Sequence, residues 1–164
     1  MPERLIDVPL ESLPFVDEHF IEISAPPDIV WDSLLVQVAG VAQGRTGGRF
    51  ARRLGCRHTE ARGEVGDIGS TVPGFVVTRS IRPAVLAMMG QHRYSRYALV
   101  FRIMEKPSGI VLLSAQTRAE FPGAQGRVYR TLVIGTRGHV LVTRSILRSI
   151  RKRAERVRTR RPRP

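Results

Sequence analysis

Over the last third of the chain, side chains repeat at spacings of three and four. Val128, Leu132, Thr136, His139, Thr143, Ile146 and Ile150 share one face of a helix predicted from about Pro122 to Arg153, and Arg130, Arg137, Arg144, Arg148 and Arg151 fall on the other side. Ahead of it the period is two. Phe15 to Ser24 alternates Phe20 and Glu22 against Ile21 and Ile23, which predicts a strand. In Arg93 to Glu105, Tyr97, Leu99, Phe101 and Ile103 oppose Arg96 and Arg102. In Ile110 to Phe121, Val111, Leu113, Ala115, Thr117, Ala119 and Phe121 alternate with Ser114, Gln116, Arg118 and Glu120. Pro107, Ser108 and Gly109 supply the turn between these two strands. An apolar face opposite a polar one predicts an antiparallel sheet covered on one side, and the long helix needs such a cover.

The intervening segments are punctuated. After the first strand, SAPPDIVWDSLL reads as a helix start: Ser24 as cap, Pro26 or Pro27 in the first turn, Asp28 at the positive end. Ile29, Val30, Leu34 and Val38 give it a buried side, with Trp31 read as core. The four glycines between Gly40 and Gly48 break that helix, and a short second one is predicted from about Gly48 to Leu54, with Phe50 and Leu54 inward. Gly63, Gly66 and Gly69 mark a loop. A strand follows from Thr71 to Ser80, with an edge or bulge at Pro73 and Gly74, and beyond Pro83 another strand carries Val85, Leu86, Met88 and Met89. The predicted organisation is an irregular lead-in over residues 1–14, one α+β domain over 15–153 and a disordered basic tail over 154–164.

Charge changes this picture little. The chain of 164 residues carries a net +13, but residues from Arg144 onward hold ten Arg or Lys and one acid, leaving +4 for the preceding 143. The excess belongs to the C-terminus, where nucleic acid or an anionic membrane surface is an open but unfavoured partner. No aromatic residue follows Tyr129, so base stacking by the tail has no support. No apolar run is long enough to span a membrane, which excludes insertion. Cys56 is the single cysteine, and the N-terminal stretch has acids and prolines in place of an apolar signal core; both fit a reducing cytoplasm. Monomer and homodimer both remain open.

The order strand, helix pair, antiparallel meander and long C-terminal helix resembles the START-like, or SRPBCC, superfamily. HFIEISAPPDIVWDSL looks like its opening strand, APPxxVW turn and helix; GQHRYSRYALVFRIME and TRAEFPGAQGRVYRTLVIGTRGH look like an actinobacterial-type branch. The resemblance spans residues 15–153 and implies a helix-grip fold: a curved antiparallel sheet wrapped around the long C-terminal helix, with two short helices after the first strand. It further implies an apolar cavity between sheet and helix, in a superfamily that includes lipid and hormone binders, polyketide cyclases, aromatase-like enzymes and chaperone co-factors.

Candidate chemistry is sparse. His139 sits mid-face on the long helix with Thr136 and Thr143 a turn away, fit either to orient a ligand in an apolar pocket or to be satisfied as core polar groups. His139 is also the candidate acid or base, with Tyr129 or Tyr97 assisting, so an enzyme of cyclase or dehydratase type stays open beside a simple binder. Tyr129 on the helix flank, and His92 and Tyr97 near a hairpin end, are the remaining candidate ligand contacts, with His92 beside Arg93 or Arg96 suited to an anionic head group. His19, His58, His92 and His139 lack ligand spacing and Cys56 has no cysteine partner, so no metal is expected. QGRTGGR lacks both the P-loop ending and the dinucleotide fingerprint, and no cofactor is expected. The expected partner is a small apolar or amphipathic ligand.

Overall fold

A computed structural model describes residues 5–43, 45–123 and 138–160. Strand β1 (Phe15–Ile23) leads into helices α1 (Pro27–Gln43) and α2 (Arg45–Leu54). Strands β2 (Thr71–Val72), β3 (Phe75–Ile81), β4 (Val85–His92), β5 (Ser95–Glu105) and β6 (Val111–Glu120) follow, and helix α3 (Gly138–Arg160) comes last. The six strands form one curved antiparallel sheet in the order β1-β6-β5-β4-β3-β2, so β1 and β2 are its edges. The chain is α+β, a sheet gripping its terminal helix.

Local sequence explains the joints. Pro27 opens α1 where its missing N–H costs no bond, and Val30 N–H donates to Pro26 O at 3.1 Å. Ser24 contributes differently from the expected cap: its backbone N–H donates to Glu155 Oε1 of α3 at 3.2 Å. The segment expected as one strand from Thr71 to Ser80 is a tight hairpin instead. Val72 pairs with Phe75, and Gly74 takes φ +90°, the left-handed position a proline–glycine turn requires. The expected turn between β5 and β6 closes through Lys106 N–H to Ile110 O at 2.8 Å and Gly109 N–H to Lys106 O at 2.9 Å.

The main core lies between the concave sheet face and the helices. Val77, Leu86, Met88, Phe101, Ile103, Leu113 and Ala115 from the sheet meet Val30, Trp31 and Leu34 of α1 and Leu147, Ile150 and Ala154 of α3. Trp31 is core, as its position on the apolar side of α1 predicts.

Two expectations need correction. The sheet is not covered on one side only: Val76, Met89 and Ala98 face away from the main core and are sealed by Leu5, Val8 and Leu13 of the N-terminal segment. That segment is anchored by two short 3-10 turns, Leu5–Asp7 and Leu10–Ser12, and by the sheet beneath it. The second concerns the C-terminus. The helix continues past Arg153 to Arg160, because Ala154 and Val157 extend the buried stripe one more turn beyond Ile150. Of the predicted long helix, residues 124–137 lie outside the described residues.

Candidate functional site

Two places bring polar groups against apolar surface. The first is the end of the β4–β5 hairpin. Gly90 stands opposite Tyr97 in the register, and its missing side chain lets the β2–β3 turn press down onto the Tyr97 ring. The Tyr97 hydroxyl donates to Gly74 O at 2.8 Å, and the Tyr97 ring meets Phe75 edge-on at 5.1 Å. The Cys56 sulfur lies 3.8 Å from the same hydroxyl. Burial pushes the Cys56 thiol up; the nearby hydroxyl would counter this only by donating to sulfur. A tyrosine has one hydroxyl proton, and the short bond to Gly74 O takes it.

His92 is buried against the Tyr97 ring, with centroids 5.4 Å apart. Its Nδ1 accepts from Tyr94 N–H at 3.1 Å, so the neutral ring carries its proton on Nε2, 3.2 Å from Ser95 Oγ. Burial lowers the His92 pKa, which keeps the ring in this neutral form. The anionic head-group reading of His92 loses its arginines. Arg96 pairs with Glu120 at 3.3 Å, and Arg93 lies over the Tyr94 ring at 6.0 Å.

The second place is a recess of about 410 Å³ between edge strand β1 and helix α3. Apolar Phe20, Ile21 and Leu147 line it together with polar Glu18, His19, Arg144 and Arg148. Leu147 is buried where α3 meets the core, whereas Phe20 is 54% exposed on the outer side of β1. His19 Nε2 lies 3.3 Å from Asp17 Oδ2, which holds the imidazole along the strand. Glu18 points toward Arg102, at 4.0 Å.

Of the residues singled out in the sequence, Thr143 is buried one turn ahead of Leu147 on the same face of α3. Tyr97 and His92 come together at the hairpin. His139 is the second residue of α3, and its side chain lies outside the described residues, as do Tyr129 and Thr136. The recess residues were not found by periodicity. The one signal pointing to them is Phe20, a large aromatic residue on the strand face that also carries Glu22. Among the described residues, no group of three or more His, Cys, Asp or Glu is placed to hold a metal ion, and no helix is long and apolar enough to cross a membrane.

No protein-family model and no curated protein matches the sequence. Solved structures do match. The Zhui aromatase/cyclase from a Streptomyces species superposes with a TM-score of 0.55 at 17% identity, over 88% of this chain and 94% of that one. Truncated norcoclaurine synthase from Thalictrum flavum gives 0.52 at 12% identity, over 92% and 98%. A protein from Mesorhizobium loti gives 0.51 at 12%, over 85% and 98%. The chain has the helix-grip fold, a curved antiparallel sheet around a long C-terminal helix. The recess lies at the β1 edge of the sheet, and the His92–Tyr97 cluster lies on β4 and β5, separated from β1 by β6.

Proposed function

We propose that this helix-grip chain binds a small hydrophobic or amphipathic molecule between its sheet and its C-terminal helix. The observation that carries the reading is the 410 Å³ recess between β1 and α3, large enough for a small organic ligand and lined by Phe20, Ile21 and Leu147 beside polar Glu18, His19, Arg144 and Arg148. Thr143, one turn from Leu147, is the nearest of the polar candidates on the helix, and His139 lies one further turn back. The test is a thermal-shift screen of aliphatic and aromatic ligands. A binder raises the melting temperature with ligand concentration, and Phe20→Ala, at an exposed position, weakens the effect. A screen with no stabilising ligand, or shifts indifferent to Phe20→Ala, rejects the recess as the site.

The name aromatase/cyclase carried by one structure of this fold keeps an enzymatic reading in view, a cyclase or dehydratase acting in the same space. Within the described residues, His92 and the Tyr97 hydroxyl are both engaged in bonds that hold the hairpin, so this reading rests on His139 as acid or base. It requires His139→Ala to remove turnover while ligand binding and stability stay close to wild type. The Arg-rich end supports a third reading, attachment to nucleic acid or an anionic surface. Because residues as far as Arg160 are helical, exchanging Arg156, Arg158 and Arg160 for Gln is the appropriate test; affinity for nucleic acid that does not fall rejects it.

A further inference from the structure

The rim of the β1–α3 recess carries an unbalanced charge. Arg144 and Arg148 are one turn apart on α3, about 6 Å along the helix axis, and both line the recess. Three arginines beside the sheet and α1 are paired with acids, Arg82 with Asp28 and Asp32, Arg96 with Glu120 and Arg102 with Glu18, whereas Arg79 of β3 has no acidic partner among the described residues. Neither Arg144 nor Arg148 has an ion-pair or hydrogen-bond partner among the described residues. Glu18, the acid that lines the recess, lies 4.0 Å from Arg102, and neighbouring Asp17 lies 3.3 Å from His19. Two guanidinium side chains with no partner among the described residues therefore line the same recess as Phe20, Ile21 and Leu147.

We infer that the recess takes an amphipathic oxyanion, a small molecule whose carboxylate or phosphate head lies against Arg144 and Arg148 and whose apolar body lies along Phe20 and Leu147. Guanidinium forks match the paired oxygens of both heads, and two of them on one helix turn converge on a single head group. The apolar wall selects against a bare ion, which gains nothing from Phe20. This inference rests on the recess being the ligand site and names the ligand class for it.

Calorimetric titration of the full chain at low ionic strength with four probes tests it: decanoate, decyl phosphate, decanol and inorganic phosphate. At least one of the two charged amphiphiles binds ten times more tightly than decanol, and inorganic phosphate binds far more weakly than either; which head is preferred separates a carboxylate source from a phosphate source. Arg144→Gln combined with Arg148→Gln, both at exposed positions, removes the tenfold advantage and leaves decanol unchanged. Glu18→Gln, which removes a like charge from the rim, tightens the preferred amphiphile. Decanol equal to both charged amphiphiles, or a double variant with undiminished affinity for them, overturns the oxyanion inference while the apolar recess stands. Inorganic phosphate equal to decyl phosphate overturns the amphiphile. No binding by any probe overturns the inference and the recess together.

Discussion

Gly90 and Tyr97 face each other across β4 and β5, and the space a side chain at Gly90 would need is already filled. A β-carbon there would fall 2.1 Å from Gly74 O and 2.5 Å from two atoms of the Tyr97 ring. Neither neighbour is a flexible end: one is backbone, the other a ring held by the Gly74 and Phe75 contacts. Gly90→Ala should therefore cost about 3 kcal/mol, the upper range for overpacking, seen as a lower denaturant midpoint with an unchanged slope. A loss below about 0.5 kcal/mol would show that the β2–β3 turn is not pressed onto Tyr97.

Tyr97→Phe keeps the ring and removes the donor to Gly74 O. The expected loss is about 1 kcal/mol, the worth of one hydroxyl–carbonyl bond. The same variant reads the proton's direction. With the Tyr97 proton on Gly74 O, the pH midpoint of Cys56 alkylation stays above the ordinary thiol value through burial and does not rise further in Tyr97→Phe. A further rise would mean that the hydroxyl had been donating to sulfur.

Stability should fall on the acid side through His92 and His58. Burial lowers both from the ordinary value of 6.5, and Arg57 adds to the effect at His58. The folded pKa lies below the unfolded one, so the unfolded chain takes up the proton first. Their contribution is complete above 6.5 and is lost as pH falls through 6.5 toward the folded values. Urea midpoints at about pH 7.5 and about pH 5.5 should differ less in His92→Gln than in wild type, since that variant has one depressed histidine fewer. An identical difference would remove His92 from the effect.

Deleting residues 154–164 should destabilise the protein by about 2 kcal/mol, because buried Ala154, half-buried Val157 and the Glu155 bond to Ser24 N–H are lost together. Deleting only 161–164 should change the melting temperature little. Equal effects of the two deletions would return Ala154–Arg160 to the status of a solvated tail.

Local pattern alone determined most of the elements, for reasons that are local. Alternation in Phe15–Ser24, Arg93–Glu105 and Ile110–Phe121 marks strands because successive side chains point to opposite faces. The three-and-four spacing marks the terminal helix, and Pro27 marks the start of α1. Trp31 is legible as core from its position on the apolar side of that helix. What the pattern could not supply is which face a distant segment covers. Leu5, Val8 and Leu13 look like scattered apolar residues among prolines until folding places them over Met89 and Ala98, and alternation carries no information about that partner. Ala154 and Val157 look like residues of a basic tail because their value lies in what α3 packs against.

The candidate site divides along the same line. Thr143 is visible as a polar residue on an apolar stripe, a property of one helix. The recess is not, because it is made by two elements more than a hundred residues apart in sequence. Read singly, Arg144 and Arg148 belong to a solvent stripe and Phe20 to a polar strand face. Only the packing of α3 beside edge strand β1 brings Arg144 and Arg148, without partners among the described residues, into one recess with Phe20 and Leu147, since neither charge balance nor shape complementarity exists until both elements are in place.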